Sequence, residues 1–553
     1  MGEAKAYWTS LVHNGVFLPP APKYRGLTVG IQGRNYRLSE RAEEMALAWA
    51  RIMNNKRAQD AVFRTNFFRD FVKSFAPALR PRALEDIDFS EVRKALLRER
   101  RAKRFENASL EQRRLARKEL KQHYAYAYID GRRVEIANWA VEPPGFYLGR
   151  GDHPLRGRWK SRVRPSDVTL NLSAGAKIPK GRWGRIVHNP GAMWIARWRD
   201  PLTGRMKYVW LHEGSSIRQS KDKEKYDKAL KMMSRIDRIR RKIARAMHSR
   251  DREIREVATA CYLIDKLGMR VGDEKEADEA DTVGATTLRV EHVVIKPSSI
   301  EFNFLGKDSV EWHKSLRIWQ TDPQFLKNLN SFIKGRKPER QLFRTVSSAK
   351  VNKFLGNLAP GLTAKVFRTY HATAVVNTFL KKNAKKAKRG SHDYKIYIAK
   401  LANLEAAKLC NHKRTVPRTY RRSLRRKEQK LHSLEEAVRT TTRHRGRKLR
   451  QMNKLKLEVG LLKSARDYNL MTSLKNYIDP RVYKAWADYV EIDWRELYPK
   501  SLQKKFAWAN RYKWELDLPL PRNRVQAREA EAPPASTAEV VDGSHTIGQG
   551  EHF

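Results

Sequence analysis

Residues 416–466 read VPRTYRRSLRRKEQKLHSLEEAVRTTTRHRGRKLRQMNKLKLEVGLLKSAR, a strongly basic stretch in which large apolar residues recur at helical intervals. Leu424, Leu431, Leu434 and Val438 keep a seven-residue pattern, and Leu449, Met452 and Val459 resume it beyond Arg445-Gly446-Arg447. An apolar seam of this kind on otherwise charged helices indicates two helices folded back on each other, an antiparallel helical hairpin. Such a hairpin is in the first instance a solvated spacer. Its basic faces also suit contact with a polyanion. The hairpin divides the chain into a long preceding part and a short segment after it.

The whole chain shares the basic character. Its 553 residues carry 115 Lys and Arg against 60 Asp and Glu, a formal net charge of +55, far more than solubility requires. The expected partner is a polyanion, with nucleic acid the first candidate. No uncharged apolar run is long enough to span a bilayer, the N-terminus lacks a signal peptide's apolar core, and Ala6 stands where myristoylation wants Ser or Thr, so a soluble intracellular protein is expected. With 41% hydrophobic residues, including 14 Trp and 19 Phe, there is material for two to four domains. Cys261 and Cys410 are too few for a disulfide framework or a thiolate zinc site and read as buried thiols.

Composition marks further boundaries. Residues 1–140 mix aromatic and basic segments, and Phe63, Phe67, Phe71 and Phe75 fall at helical spacing, with Phe68 beside them. A core-facing stripe is the simpler reading than base stacking. Asp86 to Lys121 is densely charged and suits an exposed helical arm. Residues 141–216 are punctuated by Pro143-Pro144-Gly145, Gly149, Gly151 and Gly157, and segments such as Val168 to Leu172 and Met193 to Trp198 read as strands of a β-rich module. Residues 217–415 are mostly basic helix, interrupted by strand-like Leu288 to Ile295 and Ile300 to Leu305, a hairpin placed just before Gly306-Lys307-Asp308. The hairpin occupies 416–467, a further segment 468–520, and residues 521–553 read as a disordered tail.

Common catalytic engines are missing. There is no GxxxxGK[ST] loop for nucleotide binding. Asp86-Ile87-Asp88 could hold a divalent ion but lacks a Gly-rich turn and a carboxylate partner, so a solvated helix start is the plainer reading. Arg150-Gly151-Asp152 spells an adhesion tripeptide that carries no weight in a basic intracellular chain. The acidic run Asp273 to Asp281 reads as a loop that neutralises its basic surroundings. Phosphoryl transfer on a nucleic acid without metal remains possible with the residues present. Its transition state gathers negative charge that must meet fixed cations and hydrogen-bond donors. Arginine suits this because its planar fork grips two phosphate oxygens and stays charged. A lysine can protonate the leaving oxygen, and a tyrosine, whose phenol has an ordinary pKa of about 10, can form a stable ester. Composition alone cannot choose among 115 basic residues.

Several segments make the choice. Leu362-Thr363-Ala364-Lys365-Val366-Phe367-Arg368-Thr369-Tyr370 resembles a conserved region of the eukaryotic-type topoisomerase IB family. Arg270-Val271-Gly272-Asp273-Glu274-Lys275-Glu276, Phe302-Asn303-Phe304-Leu305-Gly306-Lys307-Asp308-Ser309 and Leu409-Cys410-Asn411-His412 agree with it in the same order. After the basic hairpin, Ser473-Leu474-Lys475-Asn476-Tyr477-Ile478-Asp479-Pro480-Arg481 is similar to the family's active-site tyrosine segment. Agreement extends through Asn66-Phe67-Phe68, Pro143-Pro144-Gly145 and Gly149-Arg150-Gly151 to Phe506-Ala507-Trp508-Ala509, about residues 5–512 in all.

The resemblance implies an α+β multidomain clamp on double-stranded DNA. It has a mixed cap (1–140 with the β-rich 141–216), a mainly helical catalytic domain (217–415) related to tyrosine recombinases, a helical linker (416–467), and a C-terminal domain (468–520) that brings the tyrosine. It further implies a monomer that uses neither nucleotide nor other cofactor, nor metal. Arg270 and Arg368 would grip the scissile phosphate, Lys307 would protonate the leaving 5′-oxygen, His412 would donate to a phosphate oxygen, and Tyr477 would attack to leave a 3′-phosphotyrosine. Arg150, Lys207, Lys275, Thr472 and Asn476 match positions that contact DNA or support the site. The pattern is not followed everywhere: Leu474-Lys475 inverts the usual order, Leu148 stands where arginine is common, and Asp273 replaces Asn. A long acidic-basic N-terminal extension is not seen, which suggests a compact form, nuclear or nucleoid in location. The rival expectations are a tyrosine recombinase and a non-catalytic nucleic-acid clamp.

Overall fold

A computed structural model describes residues 6–105, 110–149, 151–273, 282–440 and 442–511. Arg150, Lys275, the rest of the acidic run from Glu274, and the tail lie outside the described residues. The architecture is mixed α+β, with long helices and several small sheets.

In the N-terminal part, Asp60 caps the helix Ala61–Phe71 by accepting the Phe63 N–H. Phe63, Phe67, Phe71 and Phe75 are all buried, and Trp49 stacks on Phe67 at 4.4 Å. The aromatic stripe is therefore core, each ring contributing about 1.5–3 kcal/mol by burial. This core covers a sheet in which Thr28–Ile31 lies between Arg34–Arg37 and Ile87–Asp88. The charged stretch expected as an exposed arm begins with helix Ser90–Phe105, whose Val92 and Leu96 join the same core; helix Leu110–Tyr124 follows. Asp86 and Asp88 bind local groups: Asp86 accepts from the Arg82 and Ala83 N–H groups, Asp88 from Ser90.

A second core lies under a four-stranded sheet ordered Arg185–Val187, Val168–Asn171, Trp194–Arg199, Met206–Trp210. Strands Leu11–His13, Tyr126–Ile129 and Arg132–Glu135 form a separate sheet on this core. Sequence periodicity had not exposed these three short strands, and they tie both ends of the first 140 residues to the β-rich stretch after them.

From Ser216 onward helices dominate. Val293–Ile295, Ser299–Gly306 and Val310–Arg317 make one antiparallel sheet, and the turn Lys307–Ser309 joins its two long strands. The expected hairpin is present, but its partner beyond Lys307, the strand Val310–Arg317, went unread. Leu288 to His292, expected as strand, is mostly short 3-10 turn. Among the described residues no helix is long and apolar enough to cross a membrane.

The basic stretch forms helices Tyr420–Thr440 and Arg445–Ser464, paired antiparallel by Lys456–Glu435 (3.0 Å) and Lys463–Glu428 (2.8 Å). His444 adopts a left-handed conformation at φ 60° before the second helix, so Arg445-Gly446-Arg447 is that helix's first turn rather than a break. Leu455 and Val459 are buried, whereas Leu449, expected in the seam, is exposed. The second helix also packs along helix His392–Leu409, with Lys454 3.0 Å from Asp393, so the hairpin is not solvated on all sides.

Candidate active site

Four helices and one turn supply the central residues. Helix Arg252–Leu267 ends at Gly268, φ 63°, and the chain turns to present Arg270. This loop is held by the Ala285 N–H on the Arg270 carbonyl (2.8 Å) and the Thr286 N–H on the Val271 carbonyl (2.7 Å). Gly272 and Gly284 meet backbone to backbone here, so close that a Cβ on either would collide with the other. Arg368 lies one turn into helix Ala364–Lys388 and is buried. Helix His392–Leu409 ends just before His412, whose backbone N–H reaches the Ala407 carbonyl at 2.8 Å.

Tyr477 ends the short helix Leu470–Asn476. The Thr373 hydroxyl donates to the Tyr477 carbonyl (3.3 Å) and accepts the Asp479 N–H (3.1 Å), so the long helix carrying Arg368 also fixes the tyrosine's backbone. Asn403 accepts from the Ser473 hydroxyl at 2.7 Å. Lys225 and Lys505 donate to the Asn476 (3.2 Å) and Lys475 (3.0 Å) carbonyls, placing two cations at the negative end of the helix. Asp479, paired with Arg481 at 2.7 Å, caps the next helix, Pro480–Val490. Of these supports only Asp479-Pro480 had a readable signal, an N-cap followed by proline; Thr373, Asn403, Lys225 and Lys505 come from remote segments. The inverted Leu474-Lys475 order buries the leucine, and the lysine meets Glu213 at 2.9 Å.

The five residues converge. Arg270, Lys307 and Arg368 line one cleft together with Gly306, Cys410 and Asn411. The Arg368 guanidinium carbon lies 5.1 Å from the centre of the Tyr477 ring, and the His412 ring is 5.4 Å from it. Arg368 donates to the Gly268 and Cys410 carbonyls, both at 2.9 Å, while its Nε and both His412 ring nitrogens are buried without a hydrogen-bond partner among the described residues. Burial, then the charges of Arg368 and Arg270, drive the His412 pKa down to about 3, so the ring is neutral. The cleft thus offers fixed cations, with a neutral imidazole and a phenol beside it and polar atoms left for a ligand.

The weaker candidates are more dispersed. Thr472 and Asn476 lie on the tyrosine's helix, where the Asn476 amide donates to the Thr472 carbonyl (3.2 Å). Lys207 is exposed on strand Met206–Trp210, outside the residues that line the cleft. Gly151 abuts Ser309 in the Lys307 turn, so the N-terminal part touches the cleft's rim.

Comparison with known proteins accounts for nearly the whole chain. Residues 6–211 match the eukaryotic DNA topoisomerase I DNA-binding fragment, 214–445 its catalytic core, and 449–516 the C-terminal topoisomerase domain. DNA topoisomerase 1 alpha of Arabidopsis thaliana is 34% identical over 546 residues, covering 92% of this chain but 59% of the relative, so the chain spans little more than half of that protein's length. The mitochondrial DNA topoisomerase I of Homo sapiens is 33% identical over 555 residues, covering 91% of this chain and 90% of the relative. DNA topoisomerase 1 of Homo sapiens is 31% identical, over 91% and 70% respectively. With matches running in order through the DNA-binding, core and C-terminal regions, the chain belongs to the eukaryotic DNA topoisomerase I family.

Proposed function

We propose that the protein is a type IB DNA topoisomerase. It relaxes positive and negative supercoils by cleaving one strand through a 3′-phosphotyrosine on Tyr477, allowing rotation and resealing, without ATP or metal. The observation that carries this reading is the approach of Arg368 and His412 to the Tyr477 ring beside a cleft lined by Arg270 and Lys307. The names of the relatives support it.

In the proposed reaction the Tyr477 oxygen attacks the scissile phosphorus, giving up its proton to solvent, and the bond to the 5′-oxygen breaks. Arg270 and Arg368 bind the non-bridging oxygens as charge accumulates. His412, being neutral, donates one N–H to a phosphate oxygen without adding charge. Lys307, exposed at the tip of its turn, protonates the departing 5′-oxygen and reaches the minor groove. Attack by the 5′-hydroxyl reverses every step, and the ester's energy is conserved. Arg150, Lys207, Lys275, Thr472 and Asn476 are assigned to DNA contact or support of the site. A monomer that clamps double-stranded chromosomal DNA mainly through phosphates should show weak sequence preference and steep salt dependence.

Relaxation of supercoiled plasmid in EDTA without ATP tests this, with detergent trapping of adducts and Tyr477→Phe as control. A 3′-linked adduct and relaxation of both signs of supercoil, lost in the variant, are expected. Recombined molecules would indicate a recombinase; binding without relaxation or adduct would indicate a non-catalytic clamp.

A further inference from the structure

Lys314 lies in strand Val310–Arg317, on the far side of the Lys307 turn. The residue is half-buried, and its ammonium points inward over the Trp312 ring at 5.4 Å. It donates to the Leu267 carbonyl at 2.8 Å and the Leu409 carbonyl at 2.7 Å. These are the last residues of helices Arg252–Leu267 and His392–Leu409. Arg368 donates to the very next carbonyl on each, Gly268 and Cys410. Two cations therefore span the same pair of helix ends through consecutive carbonyls.

Terminal helix carbonyls lack intrahelical partners and carry the negative end of the dipole, which makes them natural seats for cations. Both helix ends lead directly into catalytic candidates. Arg270 comes two residues after Gly268, and His412 two residues after Cys410. The strand that supplies Lys314 is continuous with the turn that supplies Lys307, and the Asn411 amide reinforces the link by donating to the Glu311 carbonyl at 3.0 Å.

We propose that Lys314 is a positioning residue that locks the two helix ends, and through them Arg270, His412 and Arg368, in register with the Lys307 turn. This rests on the topoisomerase reading. Lys314 acts through these residues rather than on DNA. Its surroundings oppose its charge: burial and the neighbouring Arg368 bring its pKa down to about 8, against the Cys410 thiol, which favours the charged form.

Single-turnover cleavage of a duplex oligonucleotide, trapped with detergent, and DNA affinity in the same buffer are measured for wild type, Lys314→Met, Arg368→Lys and the double variant. Lys314→Met is expected to cleave about tenfold to a hundredfold more slowly, the scale of a small misplacement of catalytic groups, with affinity essentially unchanged. Its effect and that of Arg368→Lys should combine to less than their product, because both loosen the same helix ends. A folded Lys314→Met that cleaves at the wild-type rate, or independent effects in the double variant, would overturn the proposal. If Lys314→Met fails to melt cooperatively, Lys314→Gln, polar but too short to reach both carbonyls, decides: slowed cleavage at unchanged affinity supports the positioning role, and a wild-type rate overturns it. A wild type that forms no adduct fails the topoisomerase reading and this proposal with it. An active wild type in which Arg368→Lys is slowed and Lys314→Met is unaffected fails only this proposal.

Discussion

Arg368 faces the ring of Tyr477 at 5.1 Å with two of its nitrogens already bound, one to the Gly268 carbonyl and one to the Cys410 carbonyl. The guanidinium is thus oriented before any substrate arrives, and its Nε is the buried donor left over. Orientation fixed in advance costs nothing at the moment of reaction, and that is how fixed dipoles and charges stabilise a transition state best.

Arg368→Lys keeps the charge and loses the fork. A lysine cannot span both carbonyls in the same plane and still offer a donor toward Tyr477. The expected result is a cleavage rate lower by about 10²–10³, with DNA affinity much less affected. Arg368→Ala should in addition lower the melting temperature, because it strips a donor from two buried carbonyls. Single-turnover adduct formation and thermal melting check both; equal rates for wild type and Arg368→Lys would remove Arg368 from the chemistry.

His412 is neutral because burial and two neighbouring arginines oppose its protonation, with its pKa at about 3. Its charge state therefore does not change across the working range. The cleavage rate should show no break from this residue between about pH 5 and 7, where an ordinary histidine titrates. His412→Gln, which retains an N–H donor, should be less damaging than His412→Ala. A break near the ordinary histidine value that disappears in His412→Gln would contradict the neutral assignment.

The two kinds of information in this fold differ in their reach along the chain. The Phe63 to Phe75 stripe and the hairpin of 420–464 were legible because helical periodicity is local. The five converging residues were named through short segments whose resemblance survives, not through any spacing between them. What was not legible is long-range: Leu11–His13 finds Tyr126–Ile129 more than a hundred residues away, and Thr373 meets the Tyr477 carbonyl. Val310–Arg317 was missed for a different reason. Its inward Lys314 breaks the apolar alternation that marks a strand, and that lysine is inward because it binds helix ends.

His13 gives the N-terminal part an acid limit. It is buried; its Nδ1 accepts the Gly15 N–H at 3.0 Å and its Nε2 lies 2.9 Å from the Asn171 carbonyl, so the proton belongs on Nε2. A second proton would have to sit against the Gly15 N–H. Burial is the main cause that lowers the pKa from 6.5 to about 4. Since the folded value lies below the unfolded one, the unfolded chain binds the proton more readily. The stability tied to neutral His13 is fully present above the unfolded value and is lost as pH falls through the window down to the folded one. At about 1.4 kcal/mol per unit, the loss is on the order of 3 kcal/mol. His13→Gln should melt lower at neutral pH and show a shallower decline toward pH ~4; parallel melting curves for both proteins would refute this.

Gly151 and Ser309 are in close contact, with φ of 56° and 55°. A Cβ on Gly151 would overlap the Ser309 side chain. Gly151→Ala should therefore push the N-terminal part away from the Lys307 turn and slow cleavage by about tenfold. Ser309→Gly removes the obstructing atoms and suits that backbone angle, so the double variant should recover the part of the rate lost to the collision, while the strain of an alanine at φ 56° persists. Failure of Ser309→Gly to restore any activity would show that the collision is not what matters.

The helical hairpin tests strand rotation separately from chemistry. Its base is closed by the Arg414 N–H on the Asp467 carbonyl (2.8 Å), the bridge between Lys413 and Tyr468, and the Asn469 N–H on the His412 carbonyl (2.7 Å). Removing residues 420–464 and rejoining the ends leaves all three in place, so Tyr477 should still reach the cleft and form an adduct. It also uncovers the surface of helix His392–Leu409 against which the second hairpin helix packs, so a drop in melting temperature is expected. Replacing exposed Arg425, Arg426 and Lys430 by glutamate changes the charge with little loss of packing. If the basic faces brake the rotating DNA, both variants should cleave oligonucleotides at near wild-type rates yet relax plasmid at an altered rate or processivity, most clearly at low salt where phosphate attraction is strongest. Unchanged relaxation in both variants would leave the hairpin as a tether for Tyr477 and nothing more.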